Sequence, residues 1–230
     1  MTASRRFVSS LYMKPPFSPA KWSPSYTVVL LSALVIAVAI TIYVLSGYSR
    51  SLDERVFAAI APHRTPGRTS VIVVISFFAN HLFLIPVNFL LLFFLLYTRR
   101  RTEAVYLAVV SLSSLSIMSV LKRSFHRHRP DHSLVDGIVN YSFPSGHAFM
   151  SVALYGLLIW WIAVTVKNRI QRRWLIGSLF VLMTGIGFTR VYLQVHYFTD
   201  ILAGWAYGTA WLCCGIWLSG IIIARNTGRQ

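Results

Sequence analysis

His196 and Asp200 stand four residues apart, a spacing that places two side chains on one face of a helix. An aspartate that accepts from one imidazole nitrogen fixes the tautomer and leaves the other nitrogen's lone pair free to attack an electrophile. Lys122, Arg129 and Arg190 suggest what that electrophile is. They are three cations with only Asp131, Asp136 and Asp200 as nearby carboxylates. Cations gathered with so little counter-charge await an anion; guanidinium forks match phosphate oxygens, and lysine adds a point charge. The seven-residue spacing of Lys122 and Arg129 predicts one helical face, with the two about 10 Å apart along the axis, ended by Pro130. Ser145-Gly146-His147 precedes an apolar run and so opens a helix, where free N–H groups favour an anion. Gly146 admits close backbone approach, and Ser145 offers a capping hydroxyl and a phosphate donor. His147 can protonate a leaving oxygen and then activate water. Phosphate bound by three cations loses its repulsion toward a nucleophile, so the residues suit phosphoryl transfer to His196 with no metal or other cofactor.

These residues are far apart in the chain, and hydropathy shows what must bring them together. Of the 230 residues, 56% are hydrophobic and 12% charged, where a soluble domain carries about a quarter charged. Long segments therefore sit in hydrocarbon, where charge is expensive. Apolar runs predict six spans, at 26–48, 82–97, 104–121, 148–166, 174–189 and 201–224. An interfacial helix is expected at 71–79, between spans one and two, with Asn80-His81 and Pro86 as interruptions. The fold class expected is all-α: a six-span transmembrane bundle forming one domain over 26–224, with tails at 1–25 and 225–230. The leader, with Pro15-Pro16-Phe17-Ser18-Pro19, reads as a disordered tail.

Charge then sets orientation. With both termini cytoplasmic, the inner segments hold 13 of the 22 basic residues, among them Arg99, Arg100, Arg101, Arg172 and Arg173. Spans three and five then run outward and four and six inward, so all three polar clusters land on the outer face. Chance would scatter them over both sides. The formal charge of +16 invites a nucleic-acid reading, but the basic residues cluster at the ends of apolar runs. Anionic membrane lipids are the expected partner, and nucleic acid is not.

Lys122-x6-Arg129-Pro130, Pro144-Ser145-Gly146-His147 and Arg190-x5-His196-x3-Asp200 resemble the three signature segments of the type 2 phosphatidic acid phosphatase superfamily. That superfamily also holds undecaprenyl pyrophosphate phosphatases, glucose-6-phosphatase and vanadium haloperoxidases. The resemblance implies that His196 is the nucleophile, Asp200 its partner and His147 the acid and base. It further implies that Lys122, Arg129, Ser145, Gly146 and Arg190 hold the phosphate of a lipid monoester or diphosphate. Two positions depart from the pattern: Thr189 stands where serine is common, and Gln194 where small residues are common. The expected setting is a bacterial inner membrane with the site facing the periplasm or exterior. Rival readings are a phosphotransferase that passes the group to another lipid, and a lipid-phosphate binder without chemistry.

Several residues read more simply. The basic run from Lys122 to Arg129 alone could be a juxtamembrane anchor, and Ser145-Gly146 alone an ordinary cap. His126, His128 and His132 lack a completing ligand set and read as a solvated basic loop. His63 and His81 receive no role. Trp160, Trp161, Trp174 and Trp205 fit interface anchoring or helix packing. Cys213 and Cys214 are adjacent and point apart on a helix, which disfavours a disulfide between them, and they read as lipid- or core-facing.

Overall fold

A computed structural model describes residues 23–131, 133–135 and 140–227. His132, Asp136, nearly all of the expected N-terminal tail and the last three residues lie outside the described residues. The first helix, α1 (Pro24–Leu45), begins with proline in its first turn, where the fixed φ suits a helix start. Its Val28, Val35 and Ile42 side chains are exposed, as they are where lipid rather than protein is the neighbour. A turn at Gly47 (φ 80°) leads into α2 (Arg50–Ile60). This helix is amphipathic: it buries Asp53 and Ile60 and exposes Arg50 and Glu54. Thr65 caps α3 (Pro66–Phe77), and Asn80 caps α4 (His81–Tyr97), so the expected interruption at Asn80-His81 is a helix start. The helix expected at 71–79 is α3. It runs antiparallel along the end of α7 (Arg169–Tyr192), with Thr69 at Tyr192 and Ile75 beside Gly185. The remaining helices are α5 (Arg101–Phe125), α6 (Gly146–Thr165) and α8 (Phe198–Thr227).

Six stretches are long and apolar enough to cross a membrane: α1, α3 with α4, α5, α6, α7 and α8. The protein is an all-α integral membrane bundle. Half of the apolar windows of α6 and α8 is buried against 17% for α1, so α6 and α8 are central and α1 peripheral. Tyr106, Leu107 and Val110 of α5, Leu154 and Leu157 of α6, Ile186 of α7 and Ile216 of α8 share the main core. Small residues let the central pair touch backbone to backbone. A Cβ on Gly204 would stand 2.7 Å from the Ser145 carbonyl oxygen, and one on Gly208 3.0 Å from that of Phe149. The start of α6 is thereby pressed against the first turns of α8, which fixes Ser145 relative to Asp200. Cys213 and Cys214 are free thiols.

Candidate active site

The ends of α5 and α7 and the starts of α6 and α8 meet at one end of the bundle, joined there by α2. The turn from α7 into α8 carries His196. Gln194 adopts a left-handed conformation (φ 51°), and the chain doubles back so that the amides of Val195 and His196 donate to the Arg190 carbonyl at 3.1 and 3.3 Å. Asp53 of α2 receives the Thr199 amide at 3.0 Å and so caps the start of α8 from outside. Asp200 lies in the first turn of α8 and is fully buried. His196 is therefore not on a helix with Asp200, as the four-residue spacing predicts. It precedes α8 by two residues, because the turn is held by the Arg190 carbonyl, and the pair still meets.

His196 is 2% exposed. Its Nδ1 lies 3.3 Å from Ser142 Oγ and 3.5 Å from Asp200 Oδ2, so the Nδ1–H points at the carboxylate side. Asp200 Oδ2 also accepts the Ser142 hydroxyl at 2.5 Å and the Tyr197 amide at 3.0 Å, while Oδ1 accepts Arg127 Nη1 at 2.5 Å. The other imidazole nitrogen, Nε2, lies 3.3 Å from Arg129 Nη1 and faces the cations. Burial first, then the charges of Arg129, Lys122 and Arg190, hold the imidazole well below its ordinary pKa of 6.5, against hydrogen bonding from Ser142. The ring is thus neutral at physiological pH.

Lys122, Arg129 and Arg190 have a shared property: among the described residues, none has a carboxylate within ion-pair distance. Lys122 Nζ donates to the Tyr141 carbonyl at 2.5 Å. Arg129 donates to the Asn140 carbonyl at 2.7 Å, to Asn140 Oδ1 at 2.5 Å and to the Val195 carbonyl. Burial lowers the pKa of its guanidinium, with the Asp200 charge opposing. Arg190 Nη1 donates to Ser76 Oγ of α3 at 2.6 Å, while its Nε is buried without a protein partner. Nε2 of His147 is likewise buried and unpaired, within electrostatic reach of Arg190, His196, Lys122 and Arg129. Buried polar atoms without a partner are rare in native proteins. Here two of them border one cationic site. Ser145 caps α6 by accepting the Ala148 amide, and its own amide donates to the Asp200 carbonyl at 3.0 Å. A Cβ at Gly146 would stand 3.5 Å from Met118 Cγ and 3.6 Å from Lys122 Cε, ordinary contact distances that bring this turn of backbone up against the lysine.

One local expectation fails. The segment from Lys122 to Arg129 is not one helix: α5 stops at Phe125, and His126 takes the left-handed conformation (φ 44°). Arg129, which precedes Pro130, is disfavoured from helical backbone. Beyond Phe125 the side chains alternate, with Arg127 and Arg129 half-buried and His126 and His128 exposed. The exposed pair fits the solvated-loop reading. Arg127 was not singled out as a site residue, nor were Ser142, Asp53, Thr199 or Ser76. Ser142 lies two residues before the Pro144-Ser145-Gly146-His147 motif, and Asp53 is one of only six carboxylates, signals that could have drawn attention to both. Thr189 Oγ1 donates back to the Ile186 carbonyl at 2.6 Å and does not face the cations. Gln194 lines a cleft of about 500 Å3 with Ser49, Arg127, His128 and Tyr197.

Fold and site together define an integral membrane protein with a histidine–aspartate dyad beside an uncompensated cation cluster. The PAP2 superfamily profile matches residues 103–222, more than half of the chain, and the chain belongs to that superfamily. Phosphatidylglycerophosphatase B of Bacillus subtilis is 25% identical over 162 residues, 69% of this chain and 79% of its own length. Undecaprenyl-diphosphatase of Sulfolobus acidocaldarius is 26% identical over 80% of this chain and 86% of its own. Lipid A 4'-phosphatase of Porphyromonas gingivalis is 31% identical over 51% of this chain and 52% of its own. In fold, the chain is similar to the crystal structure of a transmembrane PAP2-type phosphatidylglycerolphosphate phosphatase from Bacillus subtilis. That likeness has a TM-score of 0.73 at 21% identity and covers 86% of this chain and 96% of that one. Aquifex aeolicus LpxE is more distant, with a TM-score of 0.53 at 22% identity, covering 76% of this chain and 95% of its own. The printed names of these relatives are those of phosphatases, and six stretches able to cross a membrane make this chain an integral membrane member of the superfamily.

Proposed function

We propose that this chain hydrolyses a lipid phosphate or lipid diphosphate, with His196 taking the phosphoryl group and passing it to water. One observation supports the reading best: a buried neutral imidazole, oriented through Nδ1, presents Nε2 to three cations that no carboxylate among the described residues neutralises. Lys122, Arg129 and Arg190 would bind the phosphate oxygens, helped by Ser145 and the backbone at Gly146 in the first turn of α6. Nε2 of His196 attacks phosphorus as the bond to the lipid oxygen breaks, and His147 gives that oxygen a proton. Positive charge develops on the His196 ring and is stabilised by Asp200 through Nδ1–H. Water then attacks phosphorus and loses its proton to His147, the Nε2–P bond breaks, and inorganic phosphate leaves. Among the described residues, no three His, Cys, Asp or Glu side chains gather as a metal-ligand set, and none of these steps uses a metal.

The membrane supplies the word lipid, and so do the names of the relatives, whose substrates are a glycerophosphate lipid, a polyprenyl diphosphate and a lipid A phosphate. An apolar hollow of about 410 Å3, lined by Ile60, Val71, Ile72, Phe188 and Tyr192, lies at the same end of α7 as Arg190 and suits an acyl chain. Loop charge supports both termini in the cytoplasm and the site at the outer face of a bacterial inner membrane.

The test is phosphate release by purified protein from phosphatidate, phosphatidylglycerophosphate, undecaprenyl diphosphate and lipid A, each with and without a lipid acceptor. Release is expected from at least one lipid, none from His196→Ala, and a trapped or very slowly hydrolysed phosphoenzyme from His147→Ala. Undiminished turnover by His196→Ala would refute the reading, and transfer to the acceptor in place of release would make the protein a transferase.

A further inference from the structure

The two arginines of one short segment do different work. Arg129 lies against His196 with no carboxylate partner among the described residues, while Arg127 is clasped between two carboxylates. Its Nη1 donates to Asp200 Oδ1 at 2.5 Å and to Thr199 Oγ1 at 2.9 Å. Its Nη2 donates to Asp53 Oδ2 at 2.8 Å and to Ser49 Oγ at 3.3 Å. The guanidinium carbon stacks 4.0 Å over the centroid of the Tyr197 ring. Asp53, 1% exposed, also accepts the Thr199 amide at 3.0 Å and the Thr199 hydroxyl at 2.8 Å.

We propose that Arg127 and Asp53 are positioning residues through which α2, outside the recognised motifs, holds the His196–Asp200 dyad in its working geometry. The inference rests on the phosphatase reading above. Asp200 has two oxygens with separate duties: Oδ2 faces His196 Nδ1 and Ser142, and Oδ1 is tied to Arg127. A carboxylate held by one oxygen cannot swing about its own axis, so the other keeps its aim. The guanidinium also supplies the positive charge that a fully buried carboxylate requires if it is to stay ionised. Asp53 completes the arrangement, since it holds the far edge of the same planar fork and the helix start that carries Asp200. Both Nη atoms are taken up by this clasp, so Arg127 orients the dyad while the unpaired cations receive phosphate.

A lysine at 127 would keep the charge but cannot bridge both carboxylates with a fixed fork. For Arg127→Lys, kcat is expected to fall by about 10- to 100-fold with KM within about threefold, the range for a lost charged hydrogen bond. Asp53→Asn keeps the shape and the oxygen that accepts the Thr199 amide, and a smaller loss of about 5- to 10-fold in kcat is expected. The pH profile separates positioning from scaffolding. Arg127→Gln removes a cation beside the dyad, which favours protonation, so the acid limb of kcat/KM should move to higher pH. Asp53→Asn removes an anion and should move it to lower pH. The other charged or titratable groups around the dyad, Lys122, Arg129, Arg190, His147 and Tyr197, are the same in every variant. Elution and thermal unfolding in detergent establish that each variant is folded, and Asp53→Asn remains informative even where an Arg127 variant is not. Wild-type kcat and an unmoved acid limb in folded Asp53→Asn or Arg127→Lys would overturn the proposal. Failure of the underlying reading looks different: wild-type protein releases no phosphate, or His196→Ala releases as much.

Discussion

Asp200→Asn gives the sharpest test of the dyad. The carboxylate is fully buried, and its Oδ2 lies 3.5 Å from imidazole Nδ1, which in the proposed mechanism becomes cationic when Nε2 takes the phosphoryl group. Coulomb's law at an effective dielectric of about 20 gives about 5 kcal/mol for unit charges at that distance. This is an upper bound, because charge on the ring is partial in the transition state. A lower bound is one hydrogen bond to a charged group, about 1.5 kcal/mol. At 1.36 kcal/mol per tenfold in rate, the expected loss of kcat spans about 10- to several-thousand-fold. A value near 10²–10³ is expected, since asparagine also presents an amide to at least one of the four donors now satisfied by the carboxylate. KM should change little, because Asp200 faces the ring and not the phosphate. The assay is phosphate release from the preferred lipid in detergent micelles, with unfolding temperature measured on the same preparation. A folded Asp200→Asn protein with kcat within threefold of wild type would show that the carboxylate neither orients nor stabilises the ring.

Four further outcomes are expected. Because His196 is held well below the ordinary histidine range, the acid limb of kcat/KM should lie below pH 6.5 in the free enzyme, and a limb at or above that value would contradict a neutral buried ring. The same depression means that the unfolded chain takes up a proton before the folded one, so unfolding temperature should fall as pH drops below 6.5, and a flat profile from pH 7.5 to 5 would count against it. Ser76→Ala removes the 2.6 Å hydrogen bond that, among the described residues, is the one made by the Arg190 side chain, and should cost about 3- to 10-fold in kcat/KM; an unchanged value would show that α3 does not help to place that cation. Gly204→Ala forces a Cβ to within 2.7 Å of the Ser145 carbonyl and should destabilise by about 1–3 kcal/mol, while Gly177→Ala, with nothing within 4 Å, should be neutral or slightly stabilising; equal unfolding temperatures would refute the close-packing argument.

The bundle was largely legible because the bilayer demands it. A span needs about 20 apolar residues, and chains seldom carry such runs for another reason. The six runs, the break at Asn80 and the cap at Ser145 all follow from that constraint and from local capping. What local rules missed is where tertiary hydrogen bonds take command. The α5 helix ends at Phe125, four residues earlier than the Lys122–Arg129 spacing suggests, and two guanidiniums beyond it turn inward to partners 70 or so residues away. The short helix α2 is invisible to a span search, since eleven residues of mixed polarity cannot cross a membrane. Its value lies in a single buried aspartate, and periodicity does not say what an aspartate will meet.

The site was legible to a different degree. Motif spacing named His196, Asp200, His147 and the three free cations, and the structure gathers all of them at one end of the bundle. It could not distinguish Arg127 from Arg129, which share a segment, a chemistry and a two-residue separation. The difference lies in counter-charge. Among the carboxylates of the described residues, two converge on Arg127 and none on Arg129, and on the proposed reading that asymmetry decides which arginine is spent on structure and which stays open to an anion. Scarcity is the useful clue: in a chain of 22 basic residues and six acidic ones, a buried carboxylate is placed beside one particular cation. On the proposed reading of this basic membrane protein, then, the few acids identify the cations that are not for substrate, and those left without a carboxylate around the histidine are where a phosphate would bind.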